Sequence, residues 1–104
     1  MKHWVNGLVW GSWWTYNTTN VSTDRDDMGV YELGDENKKT VYYGSGKVKT
    51  RLLDHINKKE CPLARYYRIE YMSETDAKER EQQLLEDYKK SHDEKLPIYN
   101  ERVG

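Results

Sequence analysis

The sequence has 104 residues, a formal net charge of −1, 36% hydrophobic and 34% charged residues, no Phe, nine Tyr and four Trp. That length suits one small domain, and the near-neutral balance counts against a uniformly basic nucleic-acid binder. A single cysteine, Cys61, excludes an internal disulfide and a thiolate metal cluster, and no apolar run is long enough to span a membrane.

Residues 1–27 read as a Trp-rich N-terminal extension. They hold Trp4, Trp10, Trp13 and Trp14, then a polar Thr/Asn/Ser stretch ending in Asp24-Arg25-Asp26-Asp27. Val5, Leu8, Val9 and Trp10 suit a short strand, although no period is clean. Asn6, Ser12 and the Trp residues make a poor apolar stretch for a secretion signal, and the lone cysteine agrees with a reducing, cytoplasmic location. The extension is expected to pack Trp against the domain, or to offer a homodimer contact or a base-stacking surface.

The domain proper is expected over residues 28–104. Gly29-Val30-Tyr31-Glu32-Leu33 and Thr40-Val41-Tyr42-Tyr43 are rich in β-branched and aromatic residues. The polar Gly34–Lys39 segment between them predicts a hairpin with a loop longer than two residues. Gly44-Ser45-Gly46 reads as a strand break leading into a helix. Val48, Leu52 and Ile56 fall four apart, which predicts a helix over Lys47–Lys58, ended by Pro62. Tyr67, Ile69 and Tyr71 alternate with Arg68 and Glu70 as a third strand. Ser73 and Asp76 imitate a capping box, and a second helix is predicted over Thr75–Lys90. Leu96–Asn100 returns as a short closing segment.

Charge is unevenly placed. Lys47, Lys49, Arg51, Lys58 and Lys59 face only Asp54 between Gly44 and Lys59, whereas Ser73–Asp87 is acidic. Lys47, Lys49 and the turn residue Ser45 are therefore the candidate nucleic-acid contacts. On the second helix Ala77, Leu84, Leu85 and Tyr88 define an inward stripe, and Glu81 sits in its middle. A carboxylate there costs several kcal/mol, about 2–5, unless it is paired or holds a cation. Mg²⁺ or Mn²⁺, which accept one or two carboxylates, suit such a position. Arg51 and His55 lie four apart on one side of the first helix. His3, His55 and His92 show no zinc-ligand spacing, and neither a Ser-His-Asp elbow nor a Walker-type loop is present.

Together these residues resemble the GIY-YIG nuclease family. Gly29-Val30-Tyr31 is similar to its GIY element and Tyr42-Tyr43-Gly44 to its YIG element, with Tyr43 in place of Ile. Arg51-Leu52-Leu53-Asp54-His55 resembles its Arg-Leu-x-x-His pattern, Ala77-x-x-x-Glu81-x-x-Leu84-Leu85 its metal-binding helix, and Asn100 its late Asn. The resemblance implies an α+β fold, a small three-stranded sheet made of the hairpin and a third strand, flanked by helices. It implies a DNA endonuclease in which Glu81 holds one Mg²⁺ or Mn²⁺ and Tyr31 takes the proton of the attacking water. Tyr42 or His55 would assist, Arg51 would stabilise the pentacovalent phosphate and favour the Tyr31 phenolate, and Asn100 would orient Glu81 or the network behind it. Branched, damaged or site-specific DNA are the expected partners. The alternative is a non-catalytic nucleic-acid-binding or protein-interaction module that keeps the fold.

Overall fold

Alternation along Met28–Gly34 sends Tyr31 and Leu33 to one face of a strand and Val30 and Glu32 to the other, and all four are buried. A strand buried on both sides needs a layer on each side of its sheet. The computed structural model, which describes residues 10–102, supplies both layers.

The described elements are β1 (Trp14–Thr15), α1 (Thr18–Val21), β2 (Met28–Gly34), β3 (Thr40–Lys47), α2 (Val48–Lys58), β4 (Tyr66–Tyr71), α3 (Glu74–Ser91) and α4 (Ile98–Arg102). They form a small α+β fold around a four-stranded antiparallel sheet in the order β1-β4-β2-β3. The expectation of three strands is corrected. Trp14 pairs with Tyr67 and Thr15 with Tyr66, so the stretch read as an extension contributes an edge strand. Two residues are too few to show a period of two, so the sequence carried no signal for it. A strand over Val5–Trp10 lies, Trp10 apart, outside the described residues.

One face of the sheet packs Tyr31, Leu33, Tyr42 and Tyr67 against Val48 and Leu52 of α2, with Val21 of α1 and Tyr99 of α4 in the same core. The opposite face packs Val30 and Tyr43 against Leu84 of α3, with Leu85 and Tyr88 alongside. Trp10 and Trp13 lie at 4.9 and 4.2 Å from the Arg68 guanidinium. Arg68 in turn pairs with the buried Glu32 at 2.6 Å.

One local expectation changes. Gly44-Ser45-Gly46 continues β3 instead of breaking it, because Gly46 and Gly44 pair with Gly29 and Tyr31 of β2. Gly46 has φ +133°, a conformation that L side chains rarely adopt. The N-terminus of α2 receives no cap from its neighbour Lys47. Asp26 caps it from far back in the chain, accepting from Thr50 N at 2.9 Å and from Thr50 Oγ1 at 2.7 Å. Those hydrogen bonds, aided by the Lys47 and Lys49 charges, hold the Asp26 carboxyl below its usual range. The cap of α3 agrees with the sequence, since Ser73 Oγ accepts from Asp76 N at 3.2 Å. Among the described residues no helix is long and apolar enough to cross a membrane.

Candidate active site

Tyr31 stands at the centre of β2 and faces α2. Its ring lies across Gly44, where a Cβ would fall 2.4 Å from both the phenol oxygen and Cζ. Only a glycine leaves that space. The phenol oxygen then reaches His55 Nε2 on α2 at 2.7 Å, and His55 Nδ1 reaches Glu60 Oε1 at 2.7 Å. An ionised carboxylate only accepts, so the proton between them sits on Nδ1. The bare Nε2 then accepts from the Tyr31 hydroxyl. This tautomer is assigned from the hydrogen-bond network.

The turn after α2 makes the second contact. Lys59 adopts the left-handed conformation (φ 54°, ψ 41°). The Glu60 amide bonds His55 O at 3.1 Å and the Lys59 amide bonds Ile56 O at 3.1 Å. That pairing is a Schellman closure, and it folds Glu60 back beneath His55. Glu60 is a site residue that no motif or helical spacing marked. An acid two residues past the predicted helix end, five residues after His55, was the available signal.

Tyr42 completes an aromatic cluster on the same face. Its ring lies 6.1 Å from that of Tyr31 and 5.0 Å, edge-on, from His55. Arg51 runs along the mouth of the cluster with its stem over Gly46, where a Cβ would meet Arg51 Cγ at 3.2 Å. Burial pushes the Tyr31 phenol well above its ordinary value and the neighbouring Tyr42 adds to this, while the Arg51 charge pulls the other way and is outweighed. Arg51 thus favours the Tyr31 phenolate as expected, but desolvation of a fully buried phenol is the larger effect. The Tyr42 phenol is also raised, first by burial and then by the charge of Glu81.

Glu81 lies on α3, the layer opposite α2, and meets the cluster around the edge strand β3. Its Oε1 accepts from Ser45 Oγ at 2.5 Å. It is half-buried, whereas the fully buried positions of α3 are Ala77, Arg80 and Leu84. Among the described residues the deeply buried acid is Glu32, 2% exposed and paired with Arg68. Asn100 does not orient Glu81. Its Oδ1 accepts from Tyr43 N and its Nδ2 donates to Tyr43 O, each at 2.9 Å, so it closes the open edge of β3 between Tyr42 and Ser45. Lys47 is exposed at the end of β3, and Lys49 is half-buried in the first turn of α2.

Among the described residues no three His, Cys, Asp or Glu side chains cluster as a metal cage. The Glu81–Ser45 pair instead offers hard oxygen donors with a single carboxylate. That set fits Mg²⁺ or Mn²⁺, which keep several waters and share substrate phosphates, and it does not fit zinc.

Residues 10–91 match the model of one family, described as a domain of unknown function (DUF7508). The chain belongs to this family. No GIY-YIG model matches, so the resemblance drawn from the Tyr, Arg, His and Glu spacing is corrected: the family is DUF7508. The match begins at Trp10, so it includes the β1 segment, and it stops before Tyr99 and Asn100. No curated protein and no solved structure matches the chain.

Proposed function

We propose that this protein hydrolyses a phosphodiester bond of DNA, using the Tyr31–His55–Glu60 chain to accept the proton of an attacking water. The observation that carries the reading is the pair of 2.7 Å contacts that link a phenol, an imidazole and a carboxylate in series. Beside them stands Arg51, the one exposed cation of the cluster. A carboxylate orienting an imidazole, which in turn accepts from a hydroxyl, is the arrangement that general-base catalysis requires.

Tyr31 is 0% exposed, and the Arg51 side chain lies against its phenol. When the guanidinium engages a phosphate, it draws away from Tyr31 and opens the phenol oxygen to a water. As the water gives its proton to Tyr31 Oη, Tyr31 gives its own to His55 Nε2, and Glu60 stabilises the imidazolium. The new hydroxide bonds to phosphorus, the bond from phosphorus to the leaving oxygen breaks, and that oxygen takes a proton from solvent. Arg51 offsets the charge of the pentacovalent phosphate. Glu81 with Ser45 would hold Mg²⁺ or Mn²⁺, and the chemistry such an ion would supply is Lewis-acid charge. Asn100 fixes β3, the strand that carries Tyr42 and Ser45, as a positioning residue.

The test is a cleavage assay with Mg²⁺ and Mn²⁺ across linear, nicked, flap and single-stranded DNA. Wild type should cut at least one of these. Arg51→Ala and Glu81→Ala should each slow cutting by about 10²-fold or more. Unchanged rates in both variants would remove the proposal. The complete burial of Tyr31 favours one other reading, a non-catalytic nucleic-acid-binding module in which Tyr31–His55–Glu60 is core wiring. Binding without cutting in either metal selects that reading.

A further inference from the structure

A cavity of about 580 Å³ lies across β3 and α3 on the sheet face opposite the phenol cluster. Lys38 and Lys39 from the hairpin loop form one rim, and Tyr43, Asp87, Tyr88 and His92 line the remainder. Its aromatic side is already ordered. His92 stacks on Tyr88 with ring centroids 3.6 Å apart and planes within 3°. His92 Nδ1 lies 2.8 Å from Tyr88 O, a carbonyl that only accepts, so Nδ1 carries the proton and the ring is locked. Tyr43 meets Tyr88 edge-on at 6.5 Å. A rigid aromatic wall loses little entropy when a flat ring joins it. The two lysines against one acid leave the rim cationic. An aromatic wall beside a cationic rim is the combination that takes a base together with its phosphate.

The position of the cavity relates it to the proposed cut site. Tyr43 and Ser45 lie two residues apart on one face of β3, a separation of about 6.8 Å. Leu84, which also lines the cavity, lies three residues beyond Glu81 on α3, about 4.5 Å along the helix. The Ser45–Glu81 pair and the cavity therefore follow each other along a single β3–α3 seam. We infer that this groove binds one nucleotide of the substrate strand beside the cut site, with its base against the Tyr43, Tyr88 and His92 rings and its phosphate at Lys38 and Lys39. The inference rests on the proposed phosphodiester hydrolysis for the identity of the strand.

The experiment has two parts, both on the whole chain without divalent metal. In an NMR titration, a deoxynucleoside 5′-monophosphate should shift the ring signals of Tyr43, Tyr88 and His92 and the Lys39 amide in a saturable way. Inorganic phosphate alone and the bare nucleoside should each act more weakly. In a fluorescence-anisotropy titration with a short single-stranded oligonucleotide, Lys38→Glu/Lys39→Glu should bind at least tenfold more weakly than wild type, and so should His92→Ala. All three side chains are exposed, so the fold survives these changes. Absence of shifts at the three rings, or wild-type affinity in both variants, overturns the inference. Groove shifts in a protein that cuts no DNA would overturn the hydrolysis reading and leave a nucleotide-binding groove. Cutting that both variants leave intact, with no groove shifts, would do the reverse.

Discussion

Gly44 stands directly opposite Tyr31 in the β2–β3 ladder, and the Tyr31 ring fills the space a side chain at Gly44 would occupy. The glycine is thus a steric requirement of the phenol. Gly44→Ala should destabilise the protein by about 1–3 kcal/mol, the usual cost of overpacking a core. Combining it with Tyr31→Leu should recover part of that loss, whereas combining it with Tyr31→Phe should not, because Cζ is as close as the oxygen. Urea denaturation of wild type, the three single variants and the two double variants gives the coupling. Simple additivity would show that the ring does not rest on Gly44.

Glu60 controls which nitrogen of His55 carries the proton. In Glu60→Gln the amide NH₂ can turn toward Nδ1, which favours the tautomer protonated at Nε2 and blocks acceptance from Tyr31. Cleavage should fall by about 10²–10⁴-fold, the range associated with general-base catalysis, with little change in melting temperature. Nitrogen-15 NMR of His55 reports the tautomer directly. A variant that keeps the wild-type tautomer and loses activity would point to a different role for Glu60.

Asn100 satisfies both backbone groups of Tyr43 on the open edge of β3. Asn100→Ala should cost about 1–3 kcal/mol, the penalty for leaving buried backbone groups without partners. Asn100→Asp should be no better, since a carboxylate cannot donate to Tyr43 O. Hydrogen exchange at the Tyr43 amide should quicken in both variants. Protection equal to wild type would mean that solvent or another group replaces the clamp.

Alkaline pH should unfold this protein early. Burial raises the Tyr31 and Tyr42 phenols, pushes Tyr43 up to about 12 and pushes the Cys61 thiol up to about 12. In the unfolded chain these groups ionise near their ordinary values, about 10 for Tyr and about 8.5–9 for Cys. The stability linked to them is therefore complete below about pH 8.5. It declines as pH rises through the unfolded values toward the folded ones, because the unfolded chain then binds fewer protons than the fold. Denaturation midpoints between pH 7 and pH 11 should fall along this course, and Tyr31→Phe should make the decline shallower. A midpoint that stays level to pH 11 would contradict the burial of these groups.

Much of the framework was readable from local pattern. The spacing of Val48, Leu52 and Ile56 placed α2, the alternation of Tyr67, Ile69 and Tyr71 placed β4, and Ser73 marked the start of α3. Each of these signals lies within one or two turns of chain, where side-chain period and backbone geometry are coupled. Helix period put Arg51 and His55 on one side of α2, whereas the β2–β3 register, with Tyr31 opposite Gly44 and Leu33 opposite Tyr42, is what brings the two phenols to the same face.

What the sequence could not supply depends on contacts between distant segments. Trp14 and Thr15 become a strand only because β4 offers them an edge. Asp26 caps α2 from 24 residues before Thr50. Glu32 is buried because α3 covers the face of β2 that alternation alone would leave open to water, and Arg68 is there to pair with it. Glu60 reaches His55 only through the left-handed turn at Lys59. Sequence by itself determined the longer elements β2, β3, α2, β4 and α3 and the spacing of their side chains, since those follow from backbone period. The tertiary structure decided which faces are covered, which acids are buried and which polar groups meet, because packing in three dimensions sets desolvation and hydrogen bonding and no local spacing encodes it.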